Sequence, residues 1–446
     1  TKRSIKPSNM AKSKVVIVGG GYSGVYLAKA LDNRCNVTLI ERKKLFFHNI
    51  TALRLVVQPE LCTEVFLPMD SLLKNGRVIN QLAVEVTPQC VRLEDGAELP
   101  FDYLVIATGS NNMTPYKSPV DCSDLYNYYH KLRDTVREAK SVAIVGGTTV
   151  GCELASEIAC EYPDKKITLV HSLNRLCSHR LGDRFCSKLA KKMTKMGVNV
   201  MLNTVVNVPA EEVQRRNTGA VVDYQTRPGQ VLETDQGNVD AEIIFWCLGS
   251  RPNSEPLRKS FATSIDALGQ LKVDEHLRVE GHTNVFAMGD ITNISELKTA
   301  YNALLHSGVV AKNIKRLDEA GAKHRKLKKY KPSKPLLFLS LGKDNGLSNI
   351  PGGIILGGLI TSFIKSKSVY ISQCRELLNN PKSTPLIGQD SKQHLKEGGL
   401  GLGLGVEPAK QDKQEPSSTS EAEVVDQDKL EKSTINIYTN IEGVNV

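Results

Sequence analysis

The stretch VVIVGGGYSG, residues 15–24, predicts the fold of this chain. Its β-branched residues predict a short buried strand, and Gly19, Gly21 and Gly24 then open a helix predicted over Val25–Leu31. In this G-x-G-x-x-G spacing the first glycine makes the tight turn, the second lets the backbone approach a pyrophosphate, and the third lets helix and strand pack closely. The phosphates would lie at the helix N-terminus, where backbone N–H groups favour an anion.

A second strand with an acidic end supports this interpretation. Val37–Ile40 is predicted as that strand, and Glu41 follows it, twenty residues beyond Gly21. A carboxylate at this spacing can bind the ribose hydroxyls of a dinucleotide. The alternative is a glycine-rich turn in another kind of βα unit, which Glu41 makes less favoured. The candidate cofactor-binding residues of this first unit are Gly19, Gly20, Gly21, Tyr22, Ser23, Gly24 and Glu41.

A second unit of the same kind begins with VAIVGGTTVG, residues 142–151. A helix is predicted over Cys152–Ala159 and a strand over Ile167–Val170. Thr148 stands where the middle glycine would be, which should loosen or shift the approach of the backbone to a pyrophosphate. Two such units imply two dinucleotides, one held tightly as a prosthetic group and one that exchanges as a substrate.

The residue that ends the second strand of this unit bears on which nucleotide binds there. His171 takes the place of the acid, which removes a carboxylate that would repel a 2′-phosphate. With Arg175 nearby, we expect NADPH to be accepted at least as well as NADH. The candidate residues of the second site are Gly146, Gly147, Gly151 and His171.

Two ionisable residues are candidates for the chemistry itself. Glu153 lies two residues past Gly151, in the predicted first turn of the second helix, where an acid is favourable with the helix dipole alone. The alternative interpretation places its carboxylate over a nicotinamide and a flavin, which the resemblance given below favours. Lys298 lies near the start of a helix predicted over Leu297–Ile314. Such a helix terminus with its lysine can stabilise the negative charge of a reduced flavin.

Two further residues are candidates for contacts with a bound FAD. The predicted strand 283–290 ends in Asp290, which can bind a ribityl hydroxyl or serve as a simple loop acid. Arg54 ends the stretch 45–54 and either contacts phosphate or lies on a surface helix. Flavoprotein disulfide reductases carry a cysteine pair in this stretch and this chain has none, so electrons would leave to an external acceptor.

Composition describes a globular protein of ordinary make-up. Hydrophobic residues make up 40% and charged residues 24% of the 446 residues, and no apolar run is long enough for a membrane span. The ten cysteines form no C-x-x-C pair, so neither a zinc site nor a redox dithiol is indicated, and reduced thiols in an intracellular protein are favoured. The net charge of +10 is compatible with nucleic acid or anionic lipid, but solubility is its commonest meaning.

Taken together, these motifs resemble the two-dinucleotide flavoprotein reductases, and within them the ferroptosis-suppressor and apoptosis-inducing factor-like family, which is similar to type II NADH dehydrogenases. The resemblance covers roughly residues 14 to 375. Its most specific matches are Phe47-His48-Asn49 with Ala52-Leu53-Arg54, 274–282, Asn302–His306, and Tyr330-Lys331-Pro332 leading to 338–342.

The resemblance implies bound FAD, oxidation of NADH or NADPH, and reduction of a ubiquinone-type quinone at a membrane surface. By position, Gly19 to Ser23, Arg54 and Asp290 would hold FAD, Gln81 would meet its adenine through the backbone, and Glu153 would lie at the nicotinamide end. No metal is needed. The expected location is the cytosol or the cytoplasmic face of lipid droplets, plasma membrane or mitochondrial outer membrane, as a monomer or homodimer.

Two alternatives stay open at this point. One is a nucleic-acid-binding cell-death effector with a structural flavin, for which the basic run Lys323–Lys334 would serve. The other is a soluble reductase of a ferredoxin or rubredoxin.

The predicted architecture is α/β, with two Rossmann-like dinucleotide-binding domains, a small α+β C-terminal domain and a disordered tail. In the C-terminal domain the apolar residues between Ile354 and Ile364 predict an amphipathic helix, which either packs on the core or lies in a membrane interface. The predicted boundaries are a flexible basic N-terminus at 1–13, an FAD domain at 14–120 and 251–330, an NAD(P)H domain at 121–250, the C-terminal domain at 331–380 and the tail at 381–446.

Overall fold

The strand before the first glycine loop lies at the centre of a parallel sheet. The computed structural model describes residues 12–119, 124–320 and 326–380. In the first of these ranges the strands are β1 Lys14–Val18, β2 Asn36–Ile40, β3 Leu45–Phe47, β4 Phe66–Pro68, β5 Arg77–Ile79, β6 Ala83–Val86, β7 Cys90–Leu93, β8 Glu98–Pro100, β9 Tyr103–Ile106 and β10 Ser110–Asn111. The helices there are α1 Tyr22–Leu31 and α2 Cys62–Val65, with 3-10 turns at Asn49–Thr51, Arg54–Val56 and Pro59–Leu61.

The second range contains the other parallel sheet and the longest helix. Its strands are β11 Ser141–Val145, β12 Lys166–Val170, β13 Val198–Met201, β14 Val231–Thr234, β15 Gly237–Asp240, β16 Ile243–Trp246, β17 Arg251–Pro252 and β18 Val285–Ala287. Its helices are α3 Leu125–Glu138, α4 Thr149–Glu161, α5 Asp183–Lys195, α6 Ala210–Thr218 and α7 Ala300–Ala320, with 3-10 turns at Glu255–Leu257, Ala262–Ser264 and Gly289–Ile291.

The third range forms a small α+β layer. Its strands are β19 Leu337–Ser340, β20 Gly346–Ile350 and β21 Ile354–Leu356, and they pair antiparallel in that order. The short helices α8 Gly358–Thr361 and α9 Ile371–Leu377 follow, with a π-helical turn at Ser362–Ser366 between them.

The first sheet has the order β18-β9-β1-β2-β5, with every neighbour parallel. Side chains alternate between the two faces of a strand, so Val15 and Ile17 pack in the cluster that includes α1 and α7, whereas Val16 and Val18 pack in the cluster that includes β6 and β7. A parallel sheet covered on both faces needs apolar residues at successive positions. The run of valine and isoleucine in β1 meets that need.

The second sheet has the order β13-β12-β11-β16 and is also parallel. All four strands fall within the predicted segment 121–250, while β1, β2, β5, β9 and β18 fall within 14–120 and 251–330. The α/β class with two Rossmann-like units is therefore confirmed. The domain boundaries stay a prediction, and the predicted tail at 381–446 lies outside the described residues.

Two predicted helices differ from the observed ones. The helix predicted over Leu297–Ile314 runs from Ala300 to Ala320, because the Thr299 hydroxyl caps its start by accepting from Asn302 N at 3.2 Å. The helix predicted between Ile354 and Ile364 is wrong in its first part, since Ile354–Leu356 turns back after two glycines and pairs with β20 as strand β21, and helical structure begins only with α8 at Gly358.

Candidate functional site

The first glycine loop joins β1 to α1 in a way that leaves one side open. A Cβ on Gly19, which has φ 110°, would lie 2.3 Å from the carbonyl oxygen of Ala107, and a Cβ on Gly24 would lie 1.9 Å from that of Gly19. A Cβ on Gly21 would meet no neighbouring atom within 4 Å. The first and third glycines are therefore required by packing inside the protein. The second faces free space, where the protein backbone can contact a ligand.

Glu41 lies directly beside this loop. Its Oε2 accepts a hydrogen bond from the Gly20 backbone N–H at 2.7 Å, and its Oε1 accepts one from Lys43 N at 3.0 Å. A cavity of about 70 Å³ opens here, lined by Gly20, Gly21, Tyr22, Glu41, Lys43, Leu45, Phe46, Phe47 and Asn49. The structure thus brings Glu41 and the residues of the loop together around one opening.

The N-terminus of α1 is suited to bind an anion. Gly21 is the N-cap residue and makes no side-chain capping bond to the first turn. Helix N-termini leave backbone N–H groups without intrahelical partners, and an anion can satisfy them. Within the described ranges three buried hydroxyls, those of Thr51, Thr108 and Ser340, also have no hydrogen-bond partner. Thr108 directly follows Ala107, which contacts Gly19, so one unused hydroxyl lies beside this loop, and FAD fits a site that offers such a group.

Asp290 lies in the 3-10 turn that follows β18, the strand that pairs with β9. Its Oδ2 accepts a hydrogen bond from the Ser110 hydroxyl at 2.7 Å. The turn that carries it is fixed by His306, whose Nδ1 accepts from Gly289 N at 3.0 Å and whose Nε2 donates to Glu296 at 2.8 Å. Although burial opposes the shift, hydrogen bonds from His306 and Tyr330 lower the pKa of Glu296. A carboxylate therefore anchors the histidine that holds the Asp290 turn.

Lys298 and Gln81 are engaged with the protein itself. The Lys298 ammonium donates to the carbonyl oxygens of Thr292 at 2.6 Å and Ile294 at 3.2 Å. Burial lowers the pKa of Lys298, and the nearby charge of Asp290 opposes that shift. The Gln81 amide donates to Asp95 at 2.9 Å, and its buried Oε1 accepts no hydrogen bond from any described residue. Their roles toward a cofactor stay predictions.

The second glycine loop repeats the packing of the first. A Cβ on Gly146, which has φ 113°, would lie 2.3 Å from the Cys247 carbonyl oxygen, and a Cβ on Gly151 would lie 2.0 Å from that of Gly146. A Cβ on Gly147 would lie 2.9 Å from the ring of His171, just as one on Gly20 would meet Glu41. The equivalence of the two units therefore extends to the residue that ends each second strand.

Thr148 and His171 distinguish the second loop. Thr148 is the N-cap of α4, and its hydroxyl accepts from Gly151 N at 3.4 Å, which uses one donor of the helix terminus. His171 is buried, its Nε2 has no partner among the described residues, and burial lowers its pKa. The ring is therefore neutral at pH 7 and has one nitrogen available to a ligand. Arg175 forms an ion pair with the exposed Asp183.

Glu153 is paired with a residue far along the chain. Its Oε1 accepts from the Lys365 ammonium at 2.6 Å and from Ser340 N at 3.0 Å, and Lys365 also donates to the Phe338 carbonyl at 3.0 Å. The two charged side chains are 15% and 11% exposed. Because α4 begins at Thr149, Glu153 lies in its second turn, so a first-turn contact with the helix dipole no longer explains this acid.

Arg54 is buried, so its interpretation as a surface residue is wrong. Its guanidinium donates to Glu157 at 2.7 Å and also bonds the Ser366 carbonyl oxygen. Burial raises the pKa of Glu157, and Arg54 opposes the shift. Sequence reasoning missed Lys365, Ser340 and Glu157. Glu157 alone had a signal, because it lies one helical turn beyond Glu153 and so on the same face.

The described residues show neither a metal cluster nor a disulfide. No group of three or more His, Cys, Asp or Glu side chains in the described ranges can hold a metal ion. The cysteines described there are all free.

Comparisons with known proteins give a consistent family. A family model described as pyridine nucleotide-disulphide oxidoreductase matches residues 14–307. Apoptosis-inducing factor homolog B of Dictyostelium discoideum is 42% identical over 386 residues, which cover 84% of this chain and 99% of that protein. Human ferroptosis suppressor protein 1 is 32% identical over 363 residues, which cover 80% of this chain and 94% of that protein.

Solved structures share the fold. The sulfide:quinone oxidoreductase of Aquifex aeolicus superposes with a TM-score of 0.65 at 17% identity, covering 86% of this chain and 95% of that chain. NDH2 of Plasmodium falciparum in complex with NADH superposes with a TM-score of 0.62 at 16% identity, covering 82% and 95%. At such identities the likeness concerns the fold.

Proposed function

The chain belongs to the pyridine nucleotide-disulphide oxidoreductase family, and from this premise we propose that it reduces a ubiquinone-type quinone at a membrane surface. It is an FAD-dependent NAD(P)H oxidoreductase. FAD, when bound, would supply the redox chemistry that couples oxidation of NAD(P)H to reduction of the acceptor. The protein supplies binding, orientation and charge. The first glycine loop, Glu41 and Asp290 would hold FAD, and the loop before α4 would hold the nicotinamide nucleotide.

The observation that carries the proposal is the segment that pairs with Glu153. Lys365 of this segment contacts the end of the second glycine unit, while Phe363, two residues earlier, is 64% exposed. The other exposed apolar side chains nearby are those of Ile354, Leu359 and Ile360, and Leu359 is 86% exposed. Clustered exposed apolar residues mark surfaces that meet a membrane or a partner. An apolar surface beside the Glu153–Lys365 pair therefore supports delivery of a hydrophobic acceptor from lipid.

Charge next to these residues fits an anionic lipid surface. Lys343 and Lys367 are exposed on the same part of the chain. No helix within the described ranges is long and apolar enough to cross a membrane. We therefore expect peripheral contact, in which Leu359 and Phe363 enter the lipid and the lysines meet headgroups. The expected location is the cytoplasmic face of a membrane, with a monomer or homodimer as the assembly.

The enzymatic part is tested by anaerobic stopped-flow spectroscopy of the FAD-loaded protein. NADH and NADPH should each bleach the flavin band, and a short-chain ubiquinone should restore it within the same experiment. Restoration by a ferredoxin but not by the quinone would contradict the proposed acceptor.

The membrane part is tested by flotation with vesicles containing phosphatidylserine. The double variant Leu359→Asp/Phe363→Asp should lose flotation while it keeps quinone reduction in detergent-free buffer. Leu268→Asp is the matched control, because Leu268 is 75% exposed and lies outside this region. Equal flotation of wild type and double variant would refute membrane contact through these residues.

A cluster of cations favours a second candidate function, nucleic-acid binding. Lys328 lies against Lys312 and Arg316. Burial is the main cause that lowers the pKa of Lys328, and the charges of Lys312 and Arg316 lower it further. Like charges held together gain from an anionic partner. This candidate predicts DNA binding that weakens steeply as salt is raised and that Lys312→Glu/Lys328→Glu abolishes. Salt-independent or unmeasurable binding would exclude it.

A further inference from the structure

One short stretch, Lys365–Tyr370, is held by three side chains from two other parts of the chain. Lys365 pairs with Glu153 of α4, as described above. The carbonyl oxygen of Ser366 accepts from the Arg54 guanidinium, and that of Val369 accepts from His48 Nε2 at 2.6 Å. Each of these partners is separated from the stretch by more than two hundred positions.

The backbone of this stretch has an unusual conformation. Val369 has φ 41° and Tyr370 has φ 59°, and both lie in the left-handed region. A β-branched residue seldom adopts positive φ, and such conformations persist only where the surroundings hold them. A π-helical turn at Ser362–Ser366 leads into Val369, and such turns are frequent at functional sites.

The two groups that hold this backbone are themselves fixed. His48 is 1% exposed, and because a carbonyl oxygen only accepts, its Nε2 carries the proton and its Nδ1 accepts from the Tyr22 hydroxyl at 2.9 Å. Arg54 is 3% exposed and is oriented by Glu157. Glu157 lies one turn after Glu153 on α4, so one helix face orients both Arg54 and Lys365.

We propose that Arg54 and His48 are positioning residues, which hold the Ser366 and Val369 carbonyls so that Lys365 stays paired with Glu153. The pairing itself exists in the protein before any acceptor binds. This inference rests on the proposed function only for the role of the Lys365–Glu153 pair in the reaction. It gives Arg54 a task other than contact with an FAD phosphate. The two tasks predict different results.

Hydrogen–deuterium exchange of the FAD-loaded protein tests the inference directly. In His48→Leu and in the double variant Arg54→Met/Glu157→Leu, the amides of 366–371 should exchange at least tenfold faster than in wild type. The double variant is used because Arg54→Met alone would leave the Glu157 carboxylate buried without its partner and could fail to fold. His48→Gln keeps an N–H donor and should restore slow exchange.

Lys29→Met is the matched control. Lys29 also donates to a carbonyl of the C-terminal region, that of Leu377 at 2.7 Å, but it lies outside the proposed contacts. Its loss should leave exchange at 366–371 unchanged. Wild-type exchange in His48→Leu and the double variant, or equal acceleration in Lys29→Met, would overturn the inference.

The second readout is reduction of bound flavin by NADPH, which needs no quinone. We expect an about tenfold slower rate in the double variant and in His48→Leu, with FAD content unchanged and with recovery in His48→Gln. Loss of FAD from the double variant with unchanged exchange would instead assign Arg54 to the cofactor phosphate and overturn the positioning role. A wild-type protein that NADPH reduces but quinone does not reoxidise would refute the proposed acceptor and leave this inference intact.

Discussion

The loop after β1 and the loop after β11 hold their first glycine at φ 110° and 113°. In each loop a Cβ on that glycine would lie 2.3 Å from the carbonyl oxygen at the end of a neighbouring strand. Their third glycines also agree, at 1.9 and 2.0 Å from the first glycine's oxygen. The positions that face a ligand do not agree. Gly21 is open where Thr148 caps its own helix, and Glu41 is acidic where His171 is neutral.

This difference shows which parts of the motif serve the protein and which serve the ligand. Contacts between backbone atoms inside the unit leave no freedom, so both copies keep glycine there. Positions directed at a nucleotide are free to change with the nucleotide. The changes in the second unit fit a dinucleotide that exchanges, because a partly satisfied helix terminus binds an anion less tightly.

The largest expected effect concerns stability in acid and the buried His48, which lies beside the first unit. Burial lowers the pKa of His48 from 6.5 to about 4, with the hydrogen bond to Val369 opposing. Between these values the unfolded chain binds a proton that the folded protein does not, so stability falls as pH drops from 6.5 toward 4, by about 3 kcal/mol in total. Urea unfolding at pH 7 and pH 4.5 should show a smaller loss for His48→Gln. An identical loss would mean that His48 is not the titrating group.

The next largest effect concerns Glu153. At the equivalent position of the first unit α1 has Tyr26, so only the second unit carries an acid there. Glu153→Ala removes the partner of Lys365 and of Ser340 N, so we expect flavin reduction by NADPH to slow about 100-fold while FAD stays bound. Stopped-flow absorbance measures the rate. Glu161→Ala, an exposed acid at the end of the same helix, serves as control. An unchanged rate for Glu153→Ala would remove it from the mechanism.

The shared packing positions are tested by alanine. Gly24→Ala and Gly151→Ala each place a Cβ at about 2 Å from backbone oxygen and should lower the free energy of unfolding by about 1–3 kcal/mol. Gly21→Ala meets no protein atom and should change stability by less than about 0.5 kcal/mol while it lowers FAD retention. Equal destabilisation by all three substitutions would contradict the division into packing and ligand positions.

A smaller effect is expected at the end of β12. His171→Asp restores the acid of the first unit, so it should raise the KM for NADPH relative to NADH about tenfold, equal to about 1.4 kcal/mol, through repulsion of the 2′-phosphate. Steady-state kinetics with both nucleotides measures this ratio. A ratio that does not move would show that the 2′-phosphate binds elsewhere.

The smallest effect is expected for Thr148→Gly, which makes the second loop like the first. Loss of the cap should cost only a few tenths of a kcal/mol, because glycine is itself tolerated at an N-cap. The freed N–H of Gly151 should lower the Kd for NADPH about two- to threefold. Isothermal titration calorimetry measures this Kd without a flavin signal. Weaker binding would mean that the Thr148 hydroxyl contacts the nucleotide.

Much of the fold could be predicted because its signals are local. The run of β-branched residues, the glycine spacing and the residue twenty positions on describe strand, turn, helix and strand over about thirty residues, and each step depends on near neighbours. Prediction was wrong where a distant strand competed with local periodicity. Ile354–Leu356 has the apolar pattern of a helix, but β20 offers it hydrogen bonds as a third strand.

The sequence by itself determined two dinucleotide-binding units, the glycines they require and the identity of Glu41, Glu153 and His171 as candidates. Only the tertiary structure decided what these residues contact. Glu153 meets Lys365 across 212 positions, Arg54 meets Glu157 across 103, and His48 meets Val369 across 321. The physical reason is that a buried charge or polar group must find a partner in space, and no spacing rule along the chain specifies which distant residue folding brings to it.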